Sequence, residues 1–332
     1  MHQLTKTDFI QYLNCPESLW LLKNKPNVYP NGEFSLFLEK LIKEGYEVET
    51  YAKQLFINGI NIPENANPEF TKTIINKGGR VFFQPSFSTQ KGVFARIDIL
   101  ERLIDNTWHI YEVKSSTSIK TDNKHNHLKD ACFQKQILTE NGYTISKVSI
   151  IHLNKEYVKQ GDIVVNELLE IVEVTDKLEV LYSSVVNQIN AASNFINKEN
   201  INETVCSCKY NTRSNHCDSF KYFNTTIPEY SIYEIGNIRA KKIGQLVDNE
   251  QLAIIDIPLD FELNENQLTQ VESVKQEQPI INIPNIKREL DKLKFPLHFI
   301  DYETYASAIP KLDELSPHKH LTFQVSIHTL TE

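Results

Sequence analysis

Two neighbouring stretches decide the fold: residues 92–101 read GVFARIDILE, and residues 109–116 read HIYEVKSS. Both are rich in β-branched and aromatic side chains, which favour extended backbone, so the sequence predicts adjacent strands. Asp98 and Glu112 interrupt these otherwise apolar runs. Because an unpaired charge in an apolar strand is costly, both acids are candidates for a functional site.

The flanking sequence predicts the other elements of the same domain. Strand-like runs occur at 81–87, 92–103, 107–114 and 147–153, and apolar residues at helical spacing occur at 34–56, 126–140 and 175–197. The order helix, strands, helix, strand, helix is typical of an α/β or α+β domain. We therefore expect a mixed sheet flanked by helices.

Composition narrows the class of protein. The chain has 332 residues, a length typical of about two domains, and a net charge of −8. With 40% hydrophobic and 23% charged residues, its composition is that of an ordinary globular protein. No window approaches the roughly 18 apolar residues that a membrane span needs, so we expect a cytoplasmic location and no membrane partner. The acidic balance argues against non-specific coating of nucleic acid, although a local basic face could still serve a nuclease.

The strand positions of the acids suggest a chemistry. Side chains alternate along a strand, so Glu112 and Lys114 share a face, and an adjacent strand can bring Asp98 beside Glu112. Two carboxylates suit Mg²⁺ or Mn²⁺, which could activate a water for hydrolysis while Lys114 orients that water or neutralises charge. A surface ion pair is the alternative interpretation.

Several motifs in order carry a resemblance over residues 1–223. They are LTKTDFIQYLNCPESLWLL, GYEVETYAKQLF, GVFARIDILE, YEVKSS and DACFQKQIL, followed by a late cysteine cluster. This arrangement resembles the RecB-like PD-(D/E)XK nucleases, including those associated with CRISPR adaptation. The resemblance implies a restriction-endonuclease-like α/β core and a metal-dependent deoxyribonuclease. It further implies exonuclease action on single-stranded DNA or duplex ends, in DNA repair or defence.

The resemblance also implies further site residues. An acid on the helix before the sheet completes the metal site in that family, and Glu47 is the matching position, with Glu49 as a nearby competitor. Gln134 matches the family's glutamine on the helix after the catalytic strand. The aromatic residue that often follows is absent, because Gln136 and Ile137 occupy its place.

Basic residues around that helix are candidate contacts to the DNA backbone, with a solvated helix face as the alternative. They are Lys120, Lys124, His125, His127, Lys129 and Lys135.

Cysteine spacing suggests a second centre. Cys206, Cys208 and Cys217 lie within one short segment, and Cys15 lies far upstream. The resemblance implies that these four bind a 4Fe-4S cluster. Zinc held by His216 and the three late cysteines is the alternative. Cys132, on an apolar helix face, is expected to be a core residue.

The last part of the chain carries a separate motif. Residues 295–305 read FPLHFIDYETY, in which Asp301 and Glu303 resemble the first motif of DEDD-type exonucleases with an RNase H-like fold. Together with the first domain, this order resembles a group of bacterial proteins that carry a domain of unknown function. We expect 224–294 to be a helical connecting region and 295–332 to be an incomplete, inactive RNase H-like segment.

Two functions from different classes follow from the sequence. The first is a DNA nuclease with a structural iron-sulfur cluster. The second is a nucleic-acid-binding or assembly module whose nuclease site is vestigial.

Overall fold

The computed structural model describes residues 1–30, 32, 35–122 and 125–331. Contacts divide the chain into one unit of residues 1–199 with 304–321, and another of residues 200–303 with 322–332. Within the described ranges, no helix has the length and apolar character to cross a membrane.

The first unit contains most of the regular structure. Its helices are α1 Lys6–Asn14, α2 Pro16–Asn24, α3 Leu36–Lys53, α4 Pro68–Asn76, α5 His127–Glu140, α6 Val165–Leu168 and α7 Thr175–Ile196. Its strands are β1 Leu4–Thr5, β2 Ile60–Asn61, β3 Val81–Phe83, β4 Ser86–Ser88, β5 Val93–Arg96, β6 Ile99–Arg102, β7 Trp108–Lys114, β8 Ile145–Leu153 and β9 Leu169–Glu173. The helix predicted from position 34 thus appears as α3, and position 34 itself lies outside the described residues.

The later chain adds shorter elements. They are α8 Phe220–Phe223, α9 Ala240–Asp248, α10 Glu265–Lys275, α11 Ile283–Leu290, β10 Leu297–Tyr305 and β11 Leu321–Leu330, with 3₁₀ turns at Ser207–Tyr210, Arg213–Asn215, Ile232–Glu234 and Ile254–Asp256. In the second unit, Ile232, Ile243, Leu246 and Val271 belong to a buried cluster. The predicted connecting region therefore has a hydrophobic core of its own.

The main sheet has six strands in the order β2-β3-β6-β7-β8-β9. The β7 strand runs antiparallel to β6 and parallel to β8, and α5 makes the crossover between the parallel pair. A second sheet has the order β1-β5-β4. The expected mixed sheet with flanking helices is confirmed.

Two predicted strands are each divided in the structure. The run at 81–87 breaks at Gln84, whose φ is 58° and which precedes a proline, and the run at 92–103 breaks at Ile97 and Asp98. The two breaks face each other, because the Ile97 amide donates to the Pro85 carbonyl at 2.9 Å. The chain thereby passes from the three-stranded to the six-stranded sheet, and Asp98 lies at the junction.

The main sheet is buried on both faces. Ile110 and Ile150 pack on one face in the same cluster as Phe133 of α5, whereas Tyr111 lies on the other face in a cluster with Val48 of α3. Because strand residues alternate, Glu112 falls on the face that α5 covers.

Part of the C-terminal segment belongs to the first unit. Ala308 and Ile309 are fully buried in the cluster that contains Val48 of α3. Asp313 forms an ion pair with Lys159 at 2.6 Å. The sequence had suggested that all of 295–332 forms one separate segment, whereas these contacts attach 304–321 to the first unit.

We predict that Ile309→Ala destabilises the first unit by about 2–4 kcal/mol, because it leaves a cavity in a packed core. Ile309 is 1% exposed, and Leu312, which is 55% exposed, provides a matched control. Both tryptophans, Trp20 and Trp108, lie in the first unit, so urea unfolding followed by tryptophan fluorescence reports on it. Equal, small effects of Ile309→Ala and Leu312→Ala would contradict the role of this segment in the core.

Candidate metal sites

Asp98 and Glu112 lie at the same level of the main sheet. The register of β6 and β7 pairs Ile99 with Tyr111, which places Asp98 opposite Glu112. Opposite residues of an antiparallel pair share a face. The Asp98 carboxylate also accepts a hydrogen bond from the Val113 backbone amide at 2.8 Å. The predicted neighbourhood of the two acids is therefore present.

Glu112 is buried and surrounded by donors. It is 1% exposed, and its Oε1 accepts from the ammonium groups of Lys6 at 2.6 Å and Lys114 at 2.8 Å. Its Oε2 accepts from the Gln134 side-chain amide. Burial alone would raise the pKa of Glu112, but the two ammonium groups outweigh it and lower the pKa, so the carboxylate is ionised.

Asp98 behaves in the opposite way. Burial, followed by the negative charge of Glu112, raises the pKa of Asp98 to about 7. The pKa values of two neighbouring acids commonly move apart in this way, and such a difference in pKa is typical of functional sites.

Lys114 is held by a second acid, which lies in the motif DACFQKQIL but for which the sequence predicted no role. Its ammonium group lies 2.6 Å from Asp130 Oδ2, as well as 2.8 Å from Glu112. Burial lowers the pKa of Lys114, but the two carboxylates together raise it by more, so the group stays charged. Asp130 lies one helical turn before Gln134 on α5, and this spacing was the available signal.

Lys6 is a further partner of Glu112, for which the sequence predicted no role. It is the first residue of α1, where Thr5 and Asp8 form a capping box. Lys23 pairs with Asp8 at 2.7 Å and strengthens this start of the helix. The cap fixes the backbone from which the Lys6 side chain reaches Glu112.

The carboxylate of Glu47, the predicted third ligand, pairs with Lys311. Its competitor Glu49 accepts from Gln84 Nε2 at 2.8 Å, and the same nitrogen lies 3.4 Å from Asp98 Oδ1. Glu49 is therefore the α3 acid connected to Asp98. Within the described ranges, no three acids lie together in a group that could hold a metal ion.

The oxygen atoms around Glu112 nevertheless fit a hard cation. Asp130 Oδ1 and Gln134 Oε1 are buried and have no hydrogen-bond partner. Leaving such acceptors unpaired costs about 1–3 kcal/mol each. Mg²⁺ binds through one or two carboxylates and keeps several waters, and those waters could donate to these atoms.

Part of the basic face that the sequence predicted around α5 is buried. Lys135 is buried and pairs with Glu179, and burial together with the charge of Lys114 lowers the pKa of His127 to about 4. His127 is therefore neutral near pH 7. Lys124 lies outside the described residues.

Asp301 and Glu303 lie on β10 and are exposed. They join no metal-binding group among the residues that the structure describes.

The four predicted cysteine ligands come together. The sulfur atoms of Cys15, Cys206, Cys208 and Cys217 all lie within 4.8 Å of one another, and those of Cys206 and Cys217 are 4.0 Å apart. Cys15, Cys206 and Cys208 are buried. This set could hold a metal ion.

The alternative ligand His216 is engaged elsewhere. Its ring stacks on Phe220 with the centroids 3.5 Å apart, and its Nε2 lies 3.2 Å from the Asn211 carbonyl oxygen. Cys132, which belongs to α5, lies in the main core and contacts Leu178 of α7, as expected.

We predict that Cys15→Ala lowers the metal content of the purified protein by at least about half, because it removes one of four thiolate ligands. Cys132→Ala removes a buried cysteine outside the set and should leave the content unchanged. Elemental analysis by mass spectrometry measures both. Equal metal content in the two variants would remove Cys15 from the ligand set.

Comparisons with known proteins give a family match and likenesses to solved structures. Residues 298–332 match a family model described as Domain of unknown function (DUF2779). No curated protein matches the chain. One similar solved structure is described as "Crystal structure of SSO0001", at 11% identity and a TM-score of 0.25, covering 56% of this chain and 75% of that one. A likeness of this degree supports no argument about function.

Proposed function

We propose that this chain is a Mg²⁺- or Mn²⁺-dependent nuclease that hydrolyses phosphodiester bonds of DNA. The proposal rests on one observation: Asp98, Glu112, Lys114 and Gln134 converge on one face of the main sheet. Phosphate hydrolysis needs carboxylates that bind a metal ion beside a positive charge that faces the phosphate, and this group provides both. The PD-(D/E)XK core, exonuclease action on DNA ends and a role in repair or defence are implied by the resemblance to RecB-like nucleases.

The donor set defines the roles of the residues. Asp98 and Glu112 supply the hard oxygen ligands that Mg²⁺ prefers. A divalent ion would supply positive charge beside the phosphate and make a nearby water more acidic. Gln134 holds one oxygen of Glu112 and thereby orients the other.

Lys114 contributes a fixed positive charge. Its ammonium group is anchored on Asp130 at 2.6 Å and remains protonated, because two carboxylates surround it. A charge held in place before the reaction stabilises developing negative charge without reorganisation. It can therefore orient the attacking water or neutralise a phosphate oxygen.

The acidic net charge of −8 is compatible with this activity. Phosphate recognition depends on local ammonium groups, and both Lys6 and Lys114 lie beside Glu112.

We predict that Glu112→Gln and Lys114→Met each lower metal-dependent DNA cleavage by about a thousandfold, because each removes a charge that acts at the phosphate. The assay uses linear duplex, circular duplex and single-stranded DNA with Mn²⁺ or Mg²⁺. Glu69→Gln, which changes an exposed acid on α4, is the control for loss of one negative charge. Unchanged cleavage by both site variants, with intact fluorescence, would refute the assignment.

A second candidate is the binding or assembly module. The observation that favours it is that two ammonium groups already balance Glu112, while no third carboxylate joins Asp98 among the described residues. DNA binding by the wild-type protein without metal-dependent cleavage would support this candidate.

We further propose that the four cysteines hold a structural 4Fe-4S cluster, as the resemblance implies. One observation favours zinc instead: a tetrahedral zinc with four thiolates has sulfur atoms about 3.8 Å apart, close to the 4.0 Å between Cys206 and Cys217. In a four-iron cluster each thiolate binds a different iron, so the sulfurs lie farther apart.

We predict that the anaerobically purified protein is brown, with broad visible absorption that bleaches on reduction, because iron-sulfur charge-transfer transitions absorb there. Iron, sulfide and zinc are measured on the same sample. A colourless protein with one zinc per chain would overturn the iron-sulfur assignment in favour of the zinc site that the sulfur spacing indicates.

A further inference from the structure

We infer that Lys6 is a second functional cation of the nuclease site, which balances Glu112 until a divalent ion binds and then contacts the DNA phosphate. This inference rests on the proposed function. It gives a role to an α1 residue that lies 106 positions before Glu112 in the chain.

The two ammonium groups on Glu112 differ in their anchoring. Lys114 has two acidic partners, Glu112 and Asp130. Lys6 has Glu112 as its one ion-pair partner in the described part of the chain. When Glu112 is taken by another cation, Lys114 therefore keeps its ion pair with Asp130, whereas Lys6 is left with the longer-range charges of Asp98 and Asp130.

A divalent ion that binds Glu112 must compete with the ammonium groups already bound there. Lys6 and Lys114 both donate to the same oxygen, Glu112 Oε1, at 2.6 and 2.8 Å. An ion at this carboxylate would compete for that oxygen and repel both ammonium groups. The less anchored group is the one that leaves.

Lys6 can leave without unfolding its helix. The capping box of Thr5 and Asp8 holds the backbone at the start of α1, independently of the Lys6 side chain. That side chain is also the more exposed of the two, at 29% against 19% for Lys114. A long, flexible ammonium chain at this place can turn from the carboxylate to a phosphate.

The competing explanation is a structural pair that only ties α1 to the main sheet. The two explanations differ in the sign of one measurement. Removal of a competing cation strengthens binding of a divalent ion, whereas loosening of α1 weakens or does not change it.

The test is Lys6→Met, with Mn²⁺ affinity measured by titration calorimetry without DNA. We expect Mn²⁺ to bind about tenfold more tightly than to wild type. In Ca²⁺, used as a probe ion, duplex DNA should bind about tenfold more weakly, and the slope of log affinity against log salt should fall by about one. Lys6→Arg, which keeps the charge, should stay near wild type in both measurements.

Lys23→Met is the matched control, because Lys23 is a half-buried lysine that pairs with Asp8 of the same cap and not with Glu112. It should leave the Mn²⁺ affinity unchanged. Tryptophan fluorescence confirms that each variant is folded.

The outcomes separate this inference from the proposed function. Unchanged or weaker Mn²⁺ binding by Lys6→Met overturns the inference, even if the wild type cleaves DNA. Tighter Mn²⁺ binding with unchanged DNA affinity overturns the phosphate contact. If Lys6→Met binds Mn²⁺ more tightly but the wild type cuts no DNA, the competition is supported and the nuclease function is rejected. Failure of the wild type to bind Mn²⁺ rejects both.

Discussion

The structure around the candidate site depends on the buried charge of Glu112. A carboxylate that is 1% exposed must be compensated, because an isolated ion in the interior is strongly disfavoured. Compensation comes from three directions: Lys6 from the first helix, Lys114 from the same strand and Gln134 from α5. Each of these elements is held in position by its own local structure. The site is therefore the point where the helices on this face meet the sheet.

The divided strands determine where the second acid lies. At Gln84 and Asp98 the chain leaves one sheet and enters the other, and the Gln84 amide donates to the Asp98 carbonyl at 3.1 Å across this junction. Asp98 lies just before β6 begins. At a junction it can accept the Val113 amide and approach Glu112 while its surface remains partly accessible.

Local pattern predicted much of this architecture and little of its long-range pairing. Helix α5 was expected at 126–140 and lies at His127–Glu140, because helical periodicity is a local signal. Strand alternation likewise brought Asp98, Glu112 and Lys114 to one face. The partner Lys6 was missed because a contact across 106 residues leaves no periodic trace, whereas Asp130 was marked in the sequence by its spacing of one helical turn from Gln134. For the same reason, sequence did not distinguish Glu49 from Glu47, which lie two positions apart on one helix and point in different directions. The family and the activity stay predictions.

The burial of Ala308 and Ile309 has a consequence for biosynthesis. The cluster that they share with Val48 and Tyr111 joins residues separated by most of the chain. A ribosome adds about 5–20 residues per second, and domains generally fold as they emerge. On this time scale the nascent first unit waits on the order of ten seconds between synthesis of residue 199 and emergence of the segment that closes its core. During that interval, the side chains of α3 and the neighbouring strands that Ala308 and Ile309 later cover are exposed to solvent. They form an apolar surface of the kind that chaperones bind.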